Sequence, residues 1–178
     1  PITEYRLGEG TPTAGAGLIS AAELVGGVEV NGHSLGGYLA SAFTRLFGAQ
    51  AHVAHTSTFN SAGFAPGSES VFQQWQNLIG PGYGIGRFPN PGEQTNYFAG
   101  NGLNVTTNTF WFGQVGQRVS VFNEHSSLVG TGIPNHYMYK LTDSLALATA
   151  LERLDPSLTI DRANAMFAAG SNQMAGSL

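Results

Sequence analysis

Ser34 lies in the pentapeptide Gly32-His33-Ser34-Leu35-Gly36, and Gly37 follows directly. A β-favouring run, Val28-Glu29-Val30-Asn31, leads into it, and a helix-forming run with apolar Leu39, Ala40, Ala42, Phe43 and Leu46 leaves it. Strand, sharp turn and helix in that order form a nucleophile elbow, which lifts a serine hydroxyl clear of the backbone. The glycines follow from sterics: at Gly32 and Gly36 a side chain is expected to collide with the neighbouring strand or helix, and Gly37 lets the helix approach the sheet. The chemistry such a serine can do is nucleophilic attack on an acyl group.

A serine hydroxyl is a poor nucleophile at its own pKa and needs a base within hydrogen-bond reach. The chain carries five histidines: His33, His52, His55, His125 and His136. His33 precedes the serine, where its side chain is expected to point away from the attacking face. His52 and His55 fall on the next strand-like run, where a histidine is more often structural than catalytic. His136 lies between the last strand-like run and a long helix, the place that the base takes in the chain order of hydrolases with such an elbow. His125, on the same loop, is the second candidate base.

The rest of the chain supplies elements to position this pair. Residues 2–7 read as a short strand, residues 8–17 as loop and residues 18–25 as a helix broken by Gly26-Gly27. The elbow helix ends near Phe47-Gly48, and residues 51–60 read as a buried strand parallel to the first, completing a βαβ unit. A helix over 71–79 places Phe72, Trp75 and Ile79 on one face. The Gly/Pro-rich run 80–92 is either a wall of the substrate cleft or a plain connection. Strands are expected at 95–99 and 115–122, separated by a polar loop at 101–108. A helix over 137–154 has Leu141, Leu145, Ala148, Leu151 and Leu154 as its apolar face, and a last helix covers about 160–169. The fold class is therefore α/β, with a mostly parallel sheet, in one domain.

Composition narrows the functions. Charged residues make up only 10% of the 178, against 42% hydrophobic, and the formal net charge is −4. Nucleic acid and anionic membrane both call for a basic footprint that this chain lacks. Without cysteine it has no disulfide, no thiolate metal site and no cysteine nucleophile. No run of eighteen apolar residues marks a transmembrane segment.

The elbow Gly32-His33-Ser34-Leu35-Gly36-Gly37, the segment Thr58-Phe59-Asn60-Ser61-Ala62-Gly63-Phe64 and the closing Asn135-His136-Tyr137-Met138 resemble bacterial lipases of the class 3 type, in the α/β-hydrolase superfamily. The resemblance runs from about Val28 to Leu154. It implies a three-layer α/β/α fold and a serine esterase acting on small-molecule or lipid esters, with no cofactor and no metal. Ser34 matches the nucleophile, His136 the base and the Leu35 N–H one oxyanion donor. The family's aspartate belongs on the 101–108 loop, which holds no Asp or Glu. Glu124 is the favoured substitute, with Asn101, Asn104 and Asp143 as alternatives. Only 33 residues precede Ser34, so the upstream strands and the second oxyanion donor are expected from an earlier part of a larger protein. A secreted or cell-surface bacterial setting is the working expectation. A catalytically inactive, hydrolase-like binding module is the rival reading.

Overall fold

The computed structural model describes residues 26–80, 82–101, 104, 106, 113–123 and 134–175. The expected strand at 2–7, the helix at 18–25 and the aromatics Phe110, Trp111 and Phe112 lie outside the described residues. Along the chain come β1 (Val28–His33), α1 (Leu35–Phe47), β2 (Val53–Phe59), α2 (Ser68–Ile79), β3 (Gln94–Ala99) and β4 (Gln117–Val121). A single 3-10 turn, Pro134–His136, then leads into α3 (Met138–Leu154) and α4 (Ile160–Ala175). The fold is α/β: the four strands form one parallel sheet in the order β1-β2-β3-β4. Parallel pairing puts the carboxyl ends of all four strands on one edge, the edge where open α/β sheets place their ligands.

Helix α1 packs on β1 and β2 and touches α2, while α3 and α4 meet β4. The α1–α2 side is apolar: Leu46, Phe64 and Phe72 are buried together, with Tyr38, Ile79, Phe88 and Val115 against them. Phe64 is the centre, its ring 4.4 Å from Tyr38 and 4.3 Å from Phe88. From the 80–92 run, Phe88 packs into this cluster. Val121 on β4 and Leu141 on α3 are also fully buried. The apolar face expected of α3 holds at Leu141 and Ala148 but not at Leu154, which is 83% exposed at the helix end; Trp75 likewise stands largely out of the α2 face.

A buried cation ties α1 to α2. The Arg45 guanidinium, wholly inaccessible, donates to Glu69 Oε1 at 2.8 and 3.0 Å and to Gln76 Oε1. Burying a guanidinium is costly unless its donors are matched, and here α2 supplies the acceptors.

The elbow glycines divide differently from expectation. A Cβ at Gly32 would fall on the Gly36 carbonyl, and one at Gly37 would lie 2.6 Å from Ser61 Oγ, but Gly36 itself faces open space. The close approach is therefore made at Gly32 and Gly37. Gly36→Ala is expected to raise unfolding free energy by about 0.5–1 kcal/mol through helix propensity, whereas Gly32→Ala is expected to cost about 1–3 kcal/mol through overpacking. Urea unfolding of both variants checks this, and equal losses at the two positions would contradict it.

Candidate active site

Ser34 joins β1 to α1 with φ 57° and ψ −122°, a conformation that a residue with a side chain rarely adopts. Such strain costs on the order of 1–3 kcal/mol and persists only where neighbours over-determine it. Here the Ser34 N–H donates to the Phe59 carbonyl at 3.0 Å, extending the β1–β2 ladder. Its own carbonyl accepts from the amides of Gly37 at 3.0 Å, Ala62 at 3.1 Å and Tyr38 at 3.3 Å. With both peptide groups fixed, the side chain is presented at the carboxyl edge of the sheet.

His136 arrives there from the opposite end of the described chain, at the close of the Pro134–His136 turn. Its Nε2 lies 2.7 Å from Ser34 Oγ. Three side chains hold the turn by its carbonyls. Asn60 Nδ2 donates to the carbonyls of Asn135 at 3.1 Å and His136 at 3.3 Å. His33 Nε2–H donates to the His136 carbonyl at 2.7 Å, and Asn104 Nδ2 to the Asn135 carbonyl at 3.3 Å.

The other ring nitrogen, Nδ1, faces Asn104 Oδ1 at 3.3 Å and Thr106 Oγ1 at 3.2 Å. Which atom of each amide faces the ring follows from fixed donors. The Ala99 backbone N–H can only donate, so the Asn60 side-chain atom 3.0 Å from it is the oxygen. That oxygen also receives Asn104 Nδ2 at 2.6 Å, which turns Asn104 Oδ1 toward the Thr106 amide and His136. Thr106 Oγ1 has two acceptors for its hydrogen, the Asn60 carbonyl at 2.6 Å and Asn104 Oδ1 at 3.0 Å, and so turns lone pairs to the ring. Nδ1 therefore carries the proton, and Nε2 is left as the base toward Ser34.

Burial holds the His136 pKa below the ordinary histidine range, and the neighbouring His33 ring lowers it further. The imidazole is thus kept neutral, the form that accepts a proton. Among the described residues no carboxylate hydrogen-bonds to it.

Of the residues read from the sequence, Ser34 and His136 come together. Leu35 opens α1, where the first helical N–H groups have no partner within the helix. Asn104, the less favoured alternative, stands at Nδ1. Asn101 does not: it brackets the backbone of Asn123, accepting its N–H at 2.7 Å and donating to its carbonyl. Asp143 points to solvent on α3, and Glu124 and His125 lie outside the described residues. His33 corrects the expectation made for it, since its ring turns toward His136, 4.8 Å between centroids. His52 sits exposed in the turn before β2, and His55 bonds Thr95 Oγ1 at 3.0 Å.

Asn60 and Thr106 are the positioning residues that sequence reasoning missed. A signal for Asn60 was present: an asparagine follows each of β2, β3 and β4 within two residues, as Asn60, Asn101 and Asn123. The first two each reach the backbone at the end of the neighbouring strand. Among the described residues no cluster of His, Cys, Asp or Glu could hold a metal ion, and no helix is long and apolar enough to cross a membrane. Comparison with known proteins returns no match, either to a protein-family model or to a curated protein.

The pocket around Asn104 calls for an amide. In Asn104→Asp the outer oxygen still meets Nδ1–H, but the inner one faces two acceptors, Asn60 Oδ1 and the Asn135 carbonyl, in place of the two hydrogen bonds it replaces. A buried carboxyl in that setting has its pKa raised, so the folded state binds the extra proton more readily than the unfolded chain does. The variant is expected to be less stable than the parent by about 1–3 kcal/mol at pH 8, with the gap narrowing toward pH 5. Denaturation at the two pH values measures it, and parental stability at pH 8 would contradict the assignment.

Proposed function

We propose that this chain is a serine hydrolase of the α/β-hydrolase type that cleaves carboxylic esters. The observation that carries the reading is the 2.7 Å contact between His136 Nε2 and the hydroxyl of a serine held in a strained strand-to-helix turn. Ser34 Oγ attacks the ester carbonyl while Nε2 takes its proton. The carbonyl oxygen becomes an oxyanion, for which the Leu35 N–H at the start of α1 is one donor. The intermediate collapses, the proton passes from His136 to the departing alcohol, and an acyl-Ser34 remains. Water, deprotonated by His136, then attacks the acyl carbon and releases the acid and free Ser34.

Asn104 takes the third place. An amide there orients the ring but adds no negative charge against the imidazolium that forms. In the serine protease triad, the corresponding change to asparagine costs about 10⁴ in kcat because the wrong tautomer results. That penalty does not carry over, because Asn60 turns the amide oxygen toward Nδ1.

Exposed apolar side chains flank the pair: Leu35 and Leu39 on α1, and Tyr137 and Tyr139 beside His136. They favour an ester with an apolar acyl or alcohol part, a lipid ester among them. β1 forms one edge of the described sheet, which leaves room for strands and a second oxyanion donor from sequence upstream of it. The rival, an inactive hydrolase-like binding module, draws on one observation, that among the described residues no carboxylate meets Nδ1.

Hydrolysis of p-nitrophenyl butyrate discriminates. The parent is expected to turn over, and Ser34→Ala to lower kcat by about 10³-fold or more. Equal rates in the two would overturn the reading, and no turnover by either would favour the binding module.

A further inference from the structure

We propose that His33 is a positioning residue for the base, holding His136 by its backbone while the adjacent Ser34 holds it by its ring. The inference rests on the hydrolase reading for its kinetic consequence but on geometry for its contact. The His136 carbonyl can only accept, so His33 Nε2 carries the hydrogen of their 2.7 Å bond. The same carbonyl takes a weaker bond from Asn60 Nδ2 at 3.3 Å, so His33 supplies the shorter of the two anchors. Residues 33 and 34 belong to one rigid turn: Ser34 donates to Phe59, and His33 pairs with Phe59 in the β1–β2 register. A displacement of the turn that moves the nucleophile therefore moves the anchor of the base with it. The distance between Oγ and Nε2 is fixed by neighbouring residues on one strand end, although the partners lie 102 positions apart in sequence.

The rings of His33 and His136 are 4.8 Å apart, so each feels the charge of the other. On the elements around them the other charged or titratable positions are Glu29 on β1, His55 on β2, Tyr38 and Arg45 on α1, and Tyr139, Lys140, Asp143, Glu152 and Arg153 on α3. Glu29 is four residues back along β1, about 13 Å at the strand rise. Arg45 is bonded to α2, and His55 to Thr95.

Two substitutions separate anchoring from bulk and from charge. His33→Gln keeps an N–H donor able to reach a carbonyl, whereas His33→Leu does not. His33→Leu is expected to lower kcat on p-nitrophenyl butyrate about 10- to 100-fold, the scale of an ångström-level misplacement. KM should stay within about twofold, because no substrate contact is lost, and His33→Gln should recover most of the rate. NMR titration of His136, readable with or without turnover, is expected to move upward in both variants, since both remove the imidazole that helps to lower it. Parental kcat in His33→Leu, a rate in His33→Gln as low as in His33→Leu, or an unmoved His136 titration would each overturn the proposal. If the parent does not turn over but the His136 titration moves as stated, the esterase reading fails and the His33 contact stands.

Discussion

The Ala99 backbone N–H, donated to Asn60 Oδ1, sets the polarity of everything around the base. A main-chain donor cannot reverse, so the Asn60 amide is fixed. Its NH₂ then meets the carbonyls that carry His136, and its oxygen receives Asn104. From Asn104 the constraint passes to Nδ1, and from there to the free Nε2 that faces Ser34. A charged residue at Nδ1 would fix the same tautomer by attraction alone. Among the described residues the task falls to neutral groups, each with its donor and acceptor opposite a complementary atom, and such networks are worth having only when their members are matched. Asn60 and Asn104 are both almost wholly buried, so a broken link would leave polar atoms without water to replace it.

The same preference for amides and hydroxyls over charges marks the chain as a whole. Charged residues are 10% of the sequence, and the buried polar residues are mostly Asn, Ser, Thr and Gln. Thr44 and Thr56 join α1 to β2 through their hydroxyls at 2.7 Å, a place where many sheets bury aliphatics. The exception is Arg45, whose charge is absorbed by Glu69 and two glutamines of α2. That ion pair fixes α2 and, through Phe72, the aromatic cluster beneath the elbow helix. The strain at Ser34 is thus supported from below by packing and from the side by the β2 ladder.

Much of this was legible in the sequence. Glycine spacing and the switch from strand to helix patterning marked the strained turn at Ser34, and the position of His136 between a strand and a long helix marked the histidine that meets it. The strands from β1 to β4 fell where apolar and β-branched runs put them. What stayed hidden depends on tertiary meeting points. Nothing local marks Asn104 as the residue at Nδ1, because its role is created by Asn60, 44 positions earlier. His33 looked like a spacer because alternation along β1 says which side a residue takes but not that the Pro134–His136 turn will arrive there. Gly36 looked indispensable because it completes the motif, yet the close contacts fall on Gly32 and Gly37. Leu154 continued a helical stripe past the end of the surface it was meant to cover.

The proposed mechanism has His136 activate Ser34. It is tested most directly by intact-mass measurement after brief exposure to a fluorophosphonate, which phosphonylates a serine only when a base has made its oxygen nucleophilic. A single adduct is expected on the parent chain, mapped to Ser34 by peptide sequencing, and none on His136→Ala under the same exposure. A parent chain that stays unlabelled, or a His136→Ala chain that labels as fast as the parent, would contradict it.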